Sequence, residues 1–202
     1  MQTTPSVAHI VLASGSETRA RLLRAAAVAF SVEPANIDEA RLRDSFGGDA
    51  VTTAVMLAER KAMQVSQNHP GAVVIGSDQV LALGARQFGK PGTRAKAREQ
   101  LRTLRGQTHS LCTAVALAQS GRAVWSHREV ANLRVRALTD AEIDGYLEQA
   151  GNAVLGAPGA YHVEGLGITL FDEVTGDYFG ILGMPLVPLL KQLRHLGALA
   201  AS

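Results

Sequence analysis

Cysteine is nearly missing from this sequence. Cys112 is its one thiol, which excludes an internal disulfide and any multi-thiolate metal site. Aromatic residues make up only 4% of the 202 positions, so the core has to be aliphatic. An excess of one charge sign is missing too. Twenty Lys and Arg against eighteen Asp and Glu leave +2, too little for a protein that holds a polyanion by bulk charge, and no nucleic-acid partner is expected. Nowhere do eighteen apolar residues run uninterrupted, so no membrane span is expected. The Met1–Pro5 start lacks the basic residues and apolar stretch of a signal peptide. The expectation from these absences is a soluble, cytoplasmic protein.

The apolar share of 47% and the length favour one unit over residues 1–202, built as two lobes around a shared core. Short apolar runs at 9–13, 29–32 and 72–75 read as strands, with helices at 18–27 and 50–67 between them. The 35–48 segment reads as polar and charged. The 72–75 strand is expected to break at Gly76-Ser77-Asp78-Gln79 and to resume at Val80, with a hairpin at Gly84. Thr93 is a helix N-cap for 94–104, and residues 109–118 and 123–135 form a long hairpin turning at Ser120-Gly121. Thr139 and Glu142 have capping-box spacing. A Gly-rich stretch covers 151–167, Ile168–Val174 reads as a strand, and Met184-Pro185 opens the last helix. The pattern is an α/β fold.

Asp78, read at a strand end after Gly76-Ser77, is placed for chemistry in a crevice, or else forms an Asx turn. Asp38 and Glu39 could ligate a hard divalent cation, or belong to a solvated loop. Ser14-Gly15-Ser16 with Arg19 would suit a phosphate, with N-capping as an equal explanation; the Gly-Lys-Ser/Thr ending of a P-loop is lacking. Lys61 lies within a helix, where a surface lysine is the plain reading. Lys90, between Gly89 and Pro91, has little packing reason to be there and points to ligand contact. Cys112 sits in strand-like alternation and reads as structural. The histidines lack zinc-ligand spacing, and the basic 94–105 helix reads as a solvated face.

In order along the chain, Leu12-Ala13-Ser14-Gly15-Ser16 with Arg19, Asp38-Glu39, Ala58-Glu59-Arg60-Lys61-Ala62, Gly76-Ser77-Asp78-Gln79-Val80, Gly89-Lys90-Pro91, Gly106-Gln107-Thr108-His109 and Gly183-Met184-Pro185-Leu186 resemble the motifs of the Maf family of nucleoside triphosphate pyrophosphatases. The resemblance covers residues 8 to 196. It implies a Maf/inosine-triphosphatase-like fold, with two lobes around a long mixed sheet and a central substrate cleft. It also implies hydrolysis of a nucleoside triphosphate at the α-phosphorus with a divalent cation, Mg²⁺ or Mn²⁺. Asp78 would be the proton acceptor. Ser14, Ser16, Arg19, Lys61 and Lys90 would bind the triphosphate, and Glu39, helped by Asp38, would hold the metal. A homodimer is implied as well.

Gln79 and Glu164 resemble the 7-methyl-GTP branch, and with Thr18 they are the expected specificity positions. A carboxylate at 164 can accept from both N1–H and the 2-amino group of guanine, whereas uracil and thymine offer one ring N–H on that edge. The sequence departs from the family at Thr18, where that branch tends to have Trp and the dTTP/UTP branch Arg. It departs again at Glu17, where Pro is usual, and at Tyr178-Phe179-Gly180, where Asn is frequent. A dTTP/UTP pyrophosphatase and a nucleotide-binding regulator of septum formation without turnover stand as the alternatives.

Overall fold

The computed structural model describes residues 8–199; the Met1–Pro5 segment read for targeting features lies outside them. The elements run β1 (Ile10–Leu12), α1 (Glu17–Ala25), β2 (Ser31–Val32), α2 (Glu39–Phe46), α3 (Ala50–Ser66), β3 (Val73–Leu83), β4 (Arg86–Phe88), α4 (Arg94–Leu104), β5 (Thr108–Gln119), β6 (Arg122–Val135), α5 (Asp140–Ala150), β7 (Phe171–Thr175), α6 (Tyr178–Ile181) and α7 (Leu186–His195). Short 3₁₀ turns fill most of the stretch from Gly151 to Leu170. No helix among the described residues is long and apolar enough to cross a membrane.

The strands form one mixed sheet in the order β2-β1-β3-β5-β6-β7, with β4 paired to β3. β1 runs parallel to both β2 and β3, and the remaining pairs are antiparallel. Four buried clusters form on this sheet, mainly aliphatic as the scarcity of aromatics requires, and two of them are large. One gathers Ile10, Leu12, Leu23, Ile75, Leu117 and Leu189 from β1, α1, β3, β5 and α7. The other gathers Leu81, Leu101, Leu104, Leu133, Ile143 and Leu147 around α4 and α5. These are the two lobes.

The expected break at 76–79 does not occur. β3 continues from Val73 to Leu83, and Val74–Ala82 pair in unbroken register with Ala118–Ser110 of β5. A central strand keeps its ladder hydrogen bonds by running on, and Gly76 serves a different purpose from a turn. A Cβ there would lie 2.1 Å from the Ala58 carbonyl oxygen of α3. The glycine lets helix backbone lie directly against the strand. Asp78 is therefore in mid-strand, and neither a strand end nor an Asx turn.

Two more corrections, and one helix outside the sequence reading, concern short elements. Residues 39–46 form α2, capped by Asp38, whose side chain accepts from the Arg41 N–H. Its eight residues include no buried one, so it carries no apolar stripe from which a helix could be read. Residues 166–170 form a 3₁₀ turn, and the strand expected from Ile168 begins at Phe171. The four-residue α6, capped by Asp177, also lacks a periodic signal. By contrast, the Thr93 cap and the Thr139–Glu142 capping box are present as read. The basic face of α4 is an ion-paired seam: Arg98 meets Asp144 at 2.5 Å and Arg105 meets Asp140 at 3.1 Å, both on α5, while Arg102 also pairs with Asp140. Cys112 is buried in β5, where burial pushes its thiol pKa up, away from the thiolate a nucleophile needs.

His109 is buried in the second lobe, its Nε2 2.6 Å from the Tyr161 hydroxyl and its Nδ1 without a partner among the described residues. Burial pushes its pKa from 6.5 down to about 4. Unfolding thus takes up a proton wherever pH lies between those values, so stability is full above about 6.5 and declines as pH falls toward about 4. The loss amounts to roughly 3 kcal/mol at most. His109→Gln is expected to flatten this part of the stability–pH curve, whatever its absolute stability. Denaturant unfolding from pH 7 to pH 4 measures it, and an unchanged slope would mean that other groups carry the acid sensitivity.

Candidate active site

Between the two lobes lies a cleft of about 770 Å³, a volume suited to a nucleotide-sized ligand. Its floor is the middle of β3. Successive strand side chains point to opposite faces, so Ser77 and Gln79 turn toward α6 and the Gly183 loop, while Asp78 turns toward α3. There it meets Lys61, itself buried. Lys61 Nζ lies 2.6 Å from Asp78 Oδ1 and 2.7 Å from Glu39 Oε1. One ammonium therefore joins two carboxylates drawn from β3 and from the start of α2. Asp78 Oδ2 is buried and has no hydrogen-bond partner among the described residues.

The plain reading of Lys61 as a surface lysine is overturned. Its helix turn packs on β3 at Gly76, which leaves the side chain nowhere to go but into the site. Burial would raise the Glu39 carboxyl, but Lys61, with Lys90 and Arg19 at longer range, outweighs this and holds its pKa below the ordinary glutamate value. Glu39 is thus an anion at neutral pH. Asp38 is not brought into the cleft. Its carboxylate is spent on the α2 cap, and it borders a separate surface hollow with Arg41 and Arg60. Helix geometry turns adjacent residues to different faces, so only Glu39 of the pair can look inward.

The opposite wall comes from the β1–α1 turn. Arg19 donates from Nε to the Gly183 carbonyl at 2.8 Å and from a terminal nitrogen to Ser14 Oγ at 3.0 Å. Burial lowers its pKa, while Asp78 and Glu39 pull the other way. Ser16 caps α1 by accepting from the Arg19 N–H, and Ser14 Oγ accepts from the Ser16 N–H. The capping explanation is therefore realised for Ser16, and in both residues the oxygen serves as acceptor, which leaves the hydroxyl proton free to be given to a ligand. Glu17 turns away from the cleft to pair with Arg24 at 2.5 Å. Lys90 lines the rim on a loop anchored by Gln100, whose amide donates to the Gly89 carbonyl at 2.9 Å.

Gln79 lines the cleft, yet its amide nitrogen donates to Thr113 Oγ1 at 2.8 Å and to the carbonyls of Ile181 at 3.0 Å and Gly180 at 3.1 Å. It ties α6 to the sheet and keeps only its amide oxygen for a ligand. Thr18 and Glu164 face each other across the mouth, Thr18 Oγ1 donating to Glu164 Oε1 at 3.2 Å. One lining cation escaped the sequence reading. Arg43 reaches the cleft from α2, four residues on from Glu39 and so on the same helix face. Its Nε is buried without a partner among the described residues. Recognising 39–46 as a helix would have exposed it.

The cleft thus sets Arg19, Arg43, Lys61 and Lys90 against Asp78 and Glu39, a surplus of cations suited to a polyphosphate. No group of three or more His, Cys, Asp or Glu side chains that could hold a metal is gathered among the described residues, so there is no all-protein cage. Glu39, a carboxylate on the cleft lining with about a third of its side chain exposed, instead fits a Mg²⁺-like ion that takes most of its ligands from phosphate and water.

Residues 9–196 match a family described as Maf-like protein. Similar curated proteins include a nucleoside triphosphate pyrophosphatase of Rhodopseudomonas palustris strain BisB18, 50% identical over 95% of each chain. Another, of Paramagnetospirillum magneticum, is 47% identical over 94% of this chain and 99% of that one. A 7-methyl-GTP pyrophosphatase of Rhizobium meliloti is 44% identical over 95% of this chain and 98% of that one. A solved HAM1 protein from Coxiella burnetii shows a partial likeness, with a TM-score of 0.43 at 16% identity over 65% of this chain and 74% of that one, too slight to bear on the fold.

Proposed function

The chain belongs to the Maf family, and from that premise we propose that it is a nucleoside triphosphate pyrophosphatase whose preferred substrate is 7-methyl-GTP. The observation that carries the reaction is the buried Asp78–Lys61–Glu39 cluster on the cleft lining, with Asp78 Oδ2 left without a hydrogen-bond partner among the described residues. The names of close relatives, which include both nucleoside triphosphate and 7-methyl-GTP pyrophosphatases, support it.

In this reading water attacks the α-phosphorus, the bond from that phosphorus to the bridging oxygen breaks, and pyrophosphate leaves with the electron pair. Asp78 Oδ2 accepts the water proton. Lys61, bound to Oδ1, fixes the carboxylate and keeps the second oxygen free. Arg19, Lys90 and Arg43 neutralise the phosphates from the walls, with the Ser14 and Ser16 hydroxyls as further donors. Glu39 would hold a divalent cation, which when bound supplies charge neutralisation on the phosphate oxygens. Asp38, committed to its cap, has no part in it. Guanine is favoured because Glu164 sits on the cleft wall as a two-oxygen acceptor for its N1–H and 2-amino donors. A positive charge on the base strengthens both donors.

The test is pyrophosphate release from 7-methyl-GTP, GTP, dTTP and UTP with Mg²⁺ or Mn²⁺. Fastest release from 7-methyl-GTP is expected. Preference for dTTP or UTP would keep the reaction and overturn the base assignment, and binding of all four without release would favour the regulator.

A further inference from the structure

We propose that Arg21 sets base selectivity by competing with the base for Glu164, an inference that rests on the reading of Glu164 as the base acceptor. Arg21 and Thr18 are three residues apart on α1 and share a face. Both reach across the cleft mouth to the same carboxylate. Thr18 Oγ1 donates to Oε1 at 3.2 Å, and an Arg21 terminal nitrogen donates to Oε2. These contacts join residues 146 and 143 positions apart, one from each lobe.

Glu164 therefore has both oxygens engaged by two donors side by side. Guanine offers the same pattern through N1–H and its 2-amino group. The α1 pair occupies the position that a guanine edge would take, so a guanine nucleotide has to displace it, whereas a pyrimidine that does not use Glu164 does not. The Arg21 side chain is 58% exposed and that of Glu164 23%, so the pair is a solvent-screened one that yields to a better partner. A cationic 7-methylguanine gains most from the departure of Arg21, because it is relieved of a like charge at the same carboxylate. The ligand class that Arg21 discriminates is thus a base with two adjacent donors, and most strongly one that carries positive charge.

The experiment measures KM and kcat for 7-methyl-GTP, GTP and UTP with the wild type, Arg21→Gln, Arg21→Lys, Glu164→Gln and the Arg21→Gln/Glu164→Gln double variant, at low and high KCl. Referring each KM to that of UTP cancels effects on phosphate binding. For Arg21→Gln the expected change in that ratio is about fivefold in favour of 7-methyl-GTP and about twofold in favour of GTP, with kcat unmoved; an exposed ion pair sets this scale. Arg21→Lys should stay near wild type. High salt should shift the wild-type ratio toward that of Arg21→Gln and leave the variant where it is.

In the Glu164→Gln background the Arg21 change should add nothing. Equal shifts for all three nucleotides, or weaker guanine binding in Arg21→Gln, would overturn the proposal while Glu164→Gln still alters the ranking. An unaltered ranking in Glu164→Gln would remove Glu164 as the base acceptor, and the role of Arg21 with it.

Discussion

Asp78→Asn is expected to lower turnover by about 10²- to 10⁴-fold, the range a general base supplies, while nucleotide affinity holds or improves. The asymmetry of the carboxylate gives the reason. Oδ1 is tied to Lys61 at 2.6 Å, and Oδ2 is buried without a partner among the described residues. An amide can keep its oxygen on Lys61, and Lys61 keeps Glu39 at 2.7 Å, so the fold has no cause to suffer. The amide cannot take a proton from water at neutral pH. Loss of one negative charge beside a polyphosphate can only favour binding. Pyrophosphate release paired with calorimetric titration of the nucleotide measures both halves, and turnover within tenfold of wild type would remove Asp78 as the base.

Lys61→Met should produce the largest loss of stability. The buried ammonium is the common partner of two carboxylates, and its removal leaves both facing an apolar thioether. Breaking a buried pair from one side costs about 3–5 kcal/mol. Glu39, with a third of its side chain exposed, retains some water, which puts the expectation near about 3 kcal/mol and a Tm drop of about 6–12 °C for a chain of this size. Mg²⁺ or Mn²⁺ should then raise the Tm of the variant more than that of the wild type, because a divalent cation can replace the missing ammonium between the same oxygens. Thermal unfolding with and without cation provides the measurement. A wild-type Tm in Lys61→Met would show that the cluster is held by the fold and does not hold it.

How much of this was legible in the sequence differs by element. Strong periodic segments with chemical punctuation were readable to within a residue or two: α1, α3, α4 with its Thr93 cap, the β5–β6 hairpin, and α5 with its capping box. Elements lacking a buried stripe were not. α2 is a helix with no buried residue, and its misreading as a loop concealed both the cap role of Asp38 and the presence of Arg43 in the cleft. Gly76-Ser77-Asp78 looks like a turn in one dimension. Only the approach of the α3 backbone shows why a strand needs a glycine there. The Lys, Arg, Asp and Glu residues of the cleft, Arg43 apart, were named beforehand, but their pairings were not. That Lys61 bridges Asp78 to Glu39, that Gln79 is committed to α6, and that Arg21 reaches Glu164 are facts of three-dimensional packing between segments up to 143 positions apart.

The continuity of β3 and β5 bears on how the cleft can move. Ile75 and Leu117 belong to the first core while Leu81 and Leu111 belong to the second, so the same two strands run through both lobes, with Asp78 between. A hinge needs a few residues free to absorb a large change in φ and ψ. Here the connection between lobes is a hydrogen-bonded ladder from Val74 to Ala82. Rotation of one lobe against the other would tear that ladder at the strand that carries Asp78. The floor of the cleft is therefore fixed by the sheet, and any widening has to come from the segments on its walls, the 156–164 stretch and α2.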